Sequence, residues 1–170
     1  ARGGVRPSGR RRRRVGGRRG APWYNDSKGP NVGAAVRSLE CFSDPIILIA
    51  GGRDKAGAYH DIGPLVSQGV KAAFLMGEIR EKLRAAWSLF TPCRLVDSLE
   101  EGVRQVAELA EEGDVILLSP ASEDSGSVNG YQHRGEMFRR SVELLAGIST
   151  EDESTGKAPS ASKPPHLLSR

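Results

Sequence analysis

A short polar segment, residues 25–31, brings three different chemical groups close together along the chain. It carries a carboxylate at Asp26, a hydroxyl at Ser27 and an ammonium group at Lys28. The segment precedes a predicted helix, whose N-terminus attracts anions through its free N–H groups and partial positive charge. Lys28 adds a full positive charge on a long side chain. The pattern favours an anion-binding site, and the alternative is a polar turn that caps the helix.

Two further loops carry groups suited to the same chemistry. Residues 51–59 begin with two glycines, which let the backbone turn sharply and approach a ligand closely, and they include Lys55. Their spacing matches neither a phosphate-binding P-loop nor a dinucleotide-binding glycine motif. Residues 119–134 are rich in serine and glycine and end at His133 and Arg134, but a serine–histidine–aspartate arrangement is not expected there. For both loops, the alternative to a binding role is a solvated turn.

The elements that hold these loops alternate between short apolar runs and amphipathic stretches. Predicted strands cover residues 23–24, 45–50, 70–76, 93–96 and 115–118, and predicted helices cover residues 31–42, 62–68, 78–89, 98–112 and 131–146. This alternation predicts an α/β fold, a Rossmann-like three-layer sandwich with a mostly parallel sheet. Ligands of such sheets bind beyond the carboxyl ends of the strands. We therefore expect the three loops to meet at one edge of the sheet.

Side chains at the helix ends support these positions. Asn31 and Ser98 are the expected N-caps of two helices. Glu101 is expected to complete a capping box with Ser98. Gly113 is expected to end the helix that Ser98 begins.

The charge of the chain is unevenly distributed. Nine of its 25 lysines and arginines lie in residues 1–22, which contain no acid, so the remainder, with all 21 acidic side chains, is mildly acidic. The basic character belongs to one segment, and a nucleic-acid-binding fold is not expected. Residues 1–22, rich in Arg and Gly, and the polar tail of residues 148–170 are both predicted to be disordered. Residues 23–147 form the predicted domain.

The composition also argues against several classes of protein. No apolar run approaches the roughly 20 residues that a membrane span needs. Cys41 and Cys93 are too few for a disulfide framework and have no neighbours at metal-ligand spacing, so buried thiols in a reducing compartment are predicted. No apolar stretch follows the N-terminal arginines, which argues against a secretory signal. We expect a cytoplasmic location, or an organellar one if the arginine-rich segment is a transit peptide.

Three strings, in order and spacing, resemble the Mur ligase family, and within it the members that add D-glutamate. They are YNDSKGPNVGA at residues 24–34, LIAGG at residues 48–52 followed by Asp54 and Lys55, and LLSPA at residues 117–121 followed by RGEMF at residues 134–138. The resemblance spans residues 23–147. It implies the third, C-terminal domain of a three-domain ligase.

The resemblance also implies a reaction for the parent enzyme. Such a ligase joins UDP-N-acetylmuramoyl-L-alanine to D-glutamate in peptidoglycan precursor synthesis, using ATP and Mg²⁺. The muramoyl carboxylate is phosphorylated, and the amine of D-glutamate attacks the acyl phosphate. By position, Asp26 and Lys28 match residues that reach the nucleotide and the reacting centre. Lys28 is also implied in substrate binding.

The implied D-glutamate pocket draws on the other two loops. Lys55 matches a lysine that grips one carboxylate of glutamate. Ser119 and residues 122–131 match the segment that holds the other carboxylate, and Tyr131 matches an aromatic residue whose backbone N–H takes part. Asp124 occupies the position of the carboxylate-binding serine, where its negative charge repels glutamate.

Other departures bear on activity. Pro30 stands where the family has threonine, so one hydroxyl contact is lost. The P-loop, the Mg²⁺ ligands and the UDP-binding domain have no counterpart in the resemblance. We therefore expect a fragment or a divergent copy of the ligase, with no catalytic or metal-ligating residues and no ligation from this chain alone. Whether the other Mur ligase domains lie on a separate chain stays open at this point.

A second interpretation belongs to a different functional class. The chain then acts as a repurposed binding module without ligase activity, and its arginine-rich arm docks on an acidic partner. A third interpretation gives the arginine-rich segment no role. Binding of D-glutamate separates the first two interpretations, because only the ligase domain requires it.

Overall fold

The computed structural model describes residues 13–29, 31–54, 56–121 and 130–154, with the backbone alone at residues 13, 18 and 147–154. The strands are β1 (Arg13–Arg18), β2 (Ala21–Asn25), β3 (Ile46–Gly52), β4 (Val70–Gly77), β5 (Cys93–Leu95) and β6 (Val115–Leu118). The helices are α1 (Val32–Leu39), α2 (Gly63–Gly69), α3 (Arg80–Trp87), α4 (Leu99–Leu109) and α5 (Gly130–Ser154), with a 3₁₀ turn at Tyr59–Ile62. Among these helices, none is both long and apolar enough to cross a bilayer.

The six strands form one sheet in the order β1-β2-β6-β3-β4-β5. Strands β2 to β6 pair in parallel, and β1 alone runs antiparallel, against β2. The central strand β3 is apolar and buried along nearly its whole length, as expected for a strand covered on both faces. The predicted α/β fold with a mostly parallel sheet is confirmed, and β5 lies at the sheet edge.

Two apolar layers separate the sheet from its helices. On one face, Val103 of α4 and Phe138 of α5 pack with Phe74 of β4. On the other face, Leu39 of α1 and Trp87 of α3 pack against the sheet together with residues of α2. These two layers make the three-layer sandwich and fix the strand ends relative to the helix starts.

The predicted N-caps are confirmed. The side chain of Asn31 accepts a hydrogen bond from the N–H of Ala34 at 2.9 Å. The hydroxyl of Ser98 accepts from the N–H of Glu101 at 3.1 Å, while the Glu101 carboxylate accepts from the N–H of Asp97 at 2.8 Å. The Ser98 bond is that of the standard capping box, whereas Glu101 binds the N–H one residue before the N-cap residue.

Helix α4 ends three residues earlier than predicted. Ala110 already has an extended backbone, and the carboxylate of Asp114 accepts from the N–H of Glu111 at 3.0 Å. The same carboxylate binds the ammonium group of Lys71 at 2.8 Å. Gly113, with φ of +93°, lies in the turn that follows the helix and does not cap it.

The prediction of disorder is wrong for residues 13–22. Strands β1 and β2 form a hairpin in which Arg13 pairs with Asn25 and Arg18 pairs with Ala21. The two-residue turn at Arg19 and Gly20 has positive φ at both positions, as the favoured hairpin turns do. The hairpin forms because strand pairing uses the backbone, which an arginine-rich sequence still offers.

Packing against the apolar core also stabilises the hairpin. Val15 packs against the buried cluster beside α5, and Ala21 and Trp23 are fully buried. A Cβ atom at Gly16 would come within 2.9 Å of a Val142 methyl group, so this glycine reflects close packing against α5. Residues 1–12 lie outside the described residues, and the prediction of disorder for them stays a prediction.

Helix α5 also extends past the predicted domain end at residue 147. It continues to Ser154, whereas a disordered tail was predicted from residue 148. Residues 148–154 contain neither glycine nor proline, so no local breaker ends the helix there. Residues 155–170 lie outside the described part of the chain.

Candidate functional site

The three predicted loops meet at the carboxyl ends of β2, β6 and β3. Leu118 of β6 pairs with Asn25 on one side and with Ile49 on the other. Beyond the strand ends, backbone bonds link the loops directly: the N–H of Asp26 donates to Leu118 O at 2.8 Å, and the N–H of Gly51 donates to Pro120 O at 2.9 Å. The expected convergence of the loops is confirmed.

Asp26 lies beneath the surface of this site. Its side chain is 3% exposed, and one carboxylate oxygen accepts a hydrogen bond from the hydroxyl of Ser38. The Ser119 hydroxyl donates to the same oxygen at 3.4 Å. The Asp26 carboxylate therefore joins β2, α1 and the end of β6.

Ser38 is a site residue that the sequence interpretation did not identify. It is 3% exposed and lies on the buried face of α1 with Ala34, Ala35 and Leu39. A serine on an otherwise apolar helix face is the signal that identifies such a residue, because a buried hydroxyl needs a partner.

Ser119, assigned by resemblance to the carboxylate-holding segment, is fully buried. Its N–H donates to Ile49 O at 3.0 Å and its hydroxyl faces Asp26. Ser119 therefore supports the buried carboxylate of Asp26 from within the domain. Its contact with a ligand stays a prediction.

Lys28 and Tyr131, two predicted site residues, lie together. Lys28 is exposed on a turn closed by a bond from the N–H of Gly29 to Asp26 O at 2.9 Å. Its ammonium nitrogen is 5.9 Å from the centre of the Tyr131 ring, within the range of a cation–π contact. The structure thus presents a positive charge beside the first turn of α5, where helix N–H groups point outward.

The start of α5 packs directly on the Lys28 turn. The guanidinium of Arg134, 8% exposed, donates to Ser27 O at 3.0 Å. A Cβ atom at Gly135 would come within 2.7 Å of both the Asn25 amide and the Ser27 hydroxyl. Arg134 and Gly135, the first two residues of the RGEMF string, therefore allow α5 to pack closely against the Lys28 turn.

The glycines of the second loop serve a different purpose from the one predicted. Gly51 and Gly52 still belong to β3 and have φ of +136° and +152°. A Cβ atom at Gly51 would come within 1.9 Å of Met76 O. The close approach is therefore to strand β4, whereas the sequence suggested a close approach to a ligand.

Asp54, two residues after Gly52 in the same loop, forms an ion pair with Lys82 of α3. The hydrogen bond from Lys82 holds the pKa of Asp54 below its usual value, and the N–H of Ala56, 3.0 Å from the carboxylate, acts in the same direction. The same pair raises the pKa of Lys82. This contact anchors the loop that contains Lys55.

Three predicted positions, Lys55, Asp124 and Pro30, lie outside the described residues. The roles predicted for them stay predictions. Within the described ranges, no group of three or more His, Cys, Asp or Glu side chains is placed to share a metal ion. Cys41 and Cys93 are free thiols and are half-buried, and burial raises the pKa of Cys93.

A separate cleft of about 610 Å³ opens at the opposite end of the sheet, where β3 and β4 begin. Its lining includes Glu40, Asp44 and Lys71, and Lys71 is engaged by Asp114 at 2.8 Å and Glu111 at 3.2 Å. Parallel sheets bind their ligands at the carboxyl ends. The loop cluster around Lys28 is therefore the candidate site.

Solved structures support the fold. A domain of a UDP-N-acetylmuramate:L-alanyl-gamma-D-glutamyl-diaminopimelate ligase from Haemophilus ducreyi matches with a TM-score of 0.52 at 12% identity, covering 76% of this chain and 98% of that one. The murein peptide ligase of Psychrobacter arcticus matches with the same score and identity, covering 30% of its chain. At these identities the likeness concerns the fold.

Curated relatives share a higher sequence identity with this chain than the solved structures do. The UDP-N-acetylmuramoylalanine–D-glutamate ligase of Syntrophotalea carbinolica is 39% identical over 128 residues, 75% of this chain and 28% of the relative. That of Geotalea uraniireducens is 42% identical over 126 residues, 74% of this chain and 28% of the relative. That of Nitratidesulfovibrio vulgaris strain DP4 is 40% identical over 140 residues, 82% and 32% respectively.

The family described as Mur ligase, glutamate ligase domain, matches residues 10–122. This match begins before β1 and ends at residue 122, so it includes the arginine-rich hairpin, the first two loops and the start of the third. The chain spans less than a third of the length of the relatives named above. Since the family match covers more than half of the chain, this chain belongs to the Mur ligase family and carries its C-terminal, glutamate ligase domain.

Proposed function

We propose that this chain supplies the amino-acid-binding domain of a ligase that joins D-glutamate to UDP-N-acetylmuramoyl-L-alanine. The observation that carries the proposal is the placement of the Lys28 ammonium beside Tyr131 at the carboxyl edge of the sheet. The relatives that match three quarters of the chain are named for that substrate pair. A cytoplasmic location is part of the same proposal.

The chemistry of D-glutamate suits such an edge. Its two carboxylates need cations and N–H donors that converge, because charge-assisted bonds to carboxylates are stronger than neutral ones. Lys28 offers one cation at the surface. Lys55 supplies a second in this proposal, and the N–H of Tyr131 in the first turn of α5 supplies a donor.

ATP and Mg²⁺ belong to the complete ligase in this proposal, where ATP supplies the phosphoryl group that activates the muramoyl carboxylate. Lys28, as an exposed cation, fits an anionic phosphate. Asp26 fits a direct contact less well, since its carboxylate is buried under the hydroxyls of Ser38 and Ser119. We assign Asp26 to holding the Lys28 turn. In this proposal the other domains of the ligase lie outside the residues of this chain.

Titration of the chain with D-glutamate by calorimetry tests the proposal. We expect saturable binding that weakens in Lys28→Met and Lys55→Ala. Arg104→Ala, which removes an exposed cation from α4, is the matched control and is expected to bind as the wild type does. Absence of D-glutamate binding by the wild type contradicts the proposal.

The alternative of a repurposed binding module is favoured by one observation, the concentration of nine arginines in residues 1–22. In this alternative the arginine-rich arm docks on an acidic partner. Binding to a polyanion that falls steeply with salt and weakens on deletion of residues 1–12, which removes five of the nine arginines, supports it. The deletion stops at residue 12 because β1 begins at Arg13.

A further inference from the structure

The Lys28 turn has a geometry that a single peptide rotation can change. Asp26 and Gly29 close the turn, so Ser27 and Lys28 are its two central residues. The peptide between two central residues can rotate by about half a turn, which converts a type I turn into type II. Type II needs positive φ at the second central residue, and Lys28 has negative φ. Positive φ costs a non-glycine residue about 1–2 kcal/mol, so Lys28 itself favours the observed turn by that amount, and a contact to the central peptide adds to this preference.

One side chain holds the central peptide from outside the turn. The carbonyl oxygen of Ser27 belongs to that peptide, and the guanidinium of Arg134 donates to it at 3.0 Å. Arg134 is 8% exposed, so water competes little for this bond. A hydrogen bond from a charged donor is stronger than a neutral one. Rotation of the peptide breaks the bond by turning the carbonyl away from Arg134.

The same helix also holds the direction of the Lys28 side chain. Tyr131 lies one turn before Arg134 on α5, and its ring lies 5.9 Å from the Lys28 ammonium. Gly135 lets α5 approach closely enough for both contacts, because a Cβ atom there would clash with Asn25 and Ser27. The backbone of the turn and the tip of Lys28 are thus fixed by one rigid element.

We propose that Arg134 is a positioning residue for Lys28. By fixing the Ser27–Lys28 peptide, it selects the turn that directs the Lys28 ammonium toward Tyr131 and the anionic ligand. Its effect on ligand binding therefore passes through Lys28. The identity of that ligand as D-glutamate rests on the proposed function.

A double-mutant cycle on the full chain tests this assignment. Arg134→Met is expected to weaken D-glutamate binding about tenfold, the effect of losing one good hydrogen bond. In the Lys28→Met background, the same change is expected to add nothing, because the group it positions is gone. Arg134→Lys, which keeps the charge and one donor, is expected to recover part of the affinity. Effects of Arg134→Met and Lys28→Met that simply add overturn the proposal.

Arg140→Met is the matched control. Arg140 lies on the exposed face of α5 and pairs with Glu136 at 3.0 Å, so its removal changes charge on the same helix without touching the turn. Circular dichroism identifies any variant that does not fold, and Arg134→Lys then carries the test. Unchanged D-glutamate affinity in a folded Arg134→Met chain also overturns the proposal.

A second measurement does not depend on the ligand. The backbone chemical shifts of Ser27 and Lys28 report the dihedral angles of the turn, and we expect them to change in Arg134→Met but not in Arg140→Met. If the wild type binds no D-glutamate, the proposed function fails and this measurement still decides the role of Arg134. Shifts that are the same in Arg134→Met as in the wild type overturn the positioning role.

Discussion

The hydroxyl of Ser38 donates to the buried carboxylate of Asp26, twelve residues earlier in the chain. This bond ties the last turn of α1 to the end of β2, just before the turn that presents Lys28. A buried carboxylate that loses a donor keeps the cost of its desolvation without the compensating bond. The stability of the site therefore depends on a residue remote from its surface.

Ser38→Ala is the direct test of that dependence. We expect it to lower the free energy of unfolding by about 1–3 kcal/mol, the usual effect of losing one hydrogen bond to a buried charged group. Urea denaturation measures the change. Ser67→Ala, the same change at an exposed position of α2, is expected to have little effect. Equal effects of the two substitutions contradict the role assigned to Ser38.

Two glycines with positive φ, Gly51 and Gly113, provide a second prediction. Gly51→Ala is expected to destabilise the chain by about 3 kcal/mol or more, because the added Cβ overlaps the backbone of Met76. Gly113→Ala is the matched control: Gly113 also has positive φ, but no other atom lies within 4 Å of its added Cβ. Its expected cost is only the conformational one, about 1–2 kcal/mol. Comparable unfolding midpoints for the two variants contradict the close contact between β3 and β4.

The pair of Asp54 and Lys82 predicts a pH dependence. The pKa of Asp54 is held below 3.8 in the folded chain, chiefly by the bond from Lys82. A carboxylate with a lowered folded pKa stabilises the fold above its unfolded pKa and loses that contribution as the pH falls through the folded value. The contribution of Asp54 is therefore expected to fade below about pH 4.

Urea unfolding between about pH 6 and about pH 3 measures this dependence. Asp54→Asn is expected to lose the part of the acid slope that the pair supplies, and Lys82→Met is expected to do the same. Asp44→Asn, at an exposed aspartate, is the control. An Asp54→Asn chain with the wild-type acid slope contradicts the assignment.

The last prediction concerns activity. The purified chain, supplied with ATP, Mg²⁺, UDP-N-acetylmuramoyl-L-alanine and D-glutamate, is expected to form no ligation product. The reason is that the proposal assigns amino-acid binding to this chain and the nucleotide site to other domains. Phosphate release and product analysis by mass spectrometry measure the outcome. Formation of the ligation product by this chain alone overturns the proposal that other domains are required.

Much of the fold follows from local sequence. The apolar runs at β3 and β6 predict buried parallel strands because few other structures bury every side chain of so short a segment. Asn31 and Ser98 mark helix starts because their side chains satisfy N–H groups a few residues away. Such short-range causes can be identified from sequence alone.

Other features depend on partners far along the chain. Strand β1 forms because β2 offers a backbone to pair with and α5 offers an apolar surface to Val15. The bond between Arg134 and Ser27 joins residues 107 positions apart. Composition led to a prediction of disorder at residues 13–22 because it counts charges and glycines and does not include these distant partners.

The antiparallel direction of β1 has a consequence for assembly. Because Arg13 pairs with Asn25, β1 begins beside the loops of the candidate site. Anything joined ahead of Arg13 is thus tethered on the side where the loops open. A short tether gives the joined partner a high effective concentration at that face. The hairpin therefore acts as an anchor point that sets how far, and on which side, a joined domain can reach.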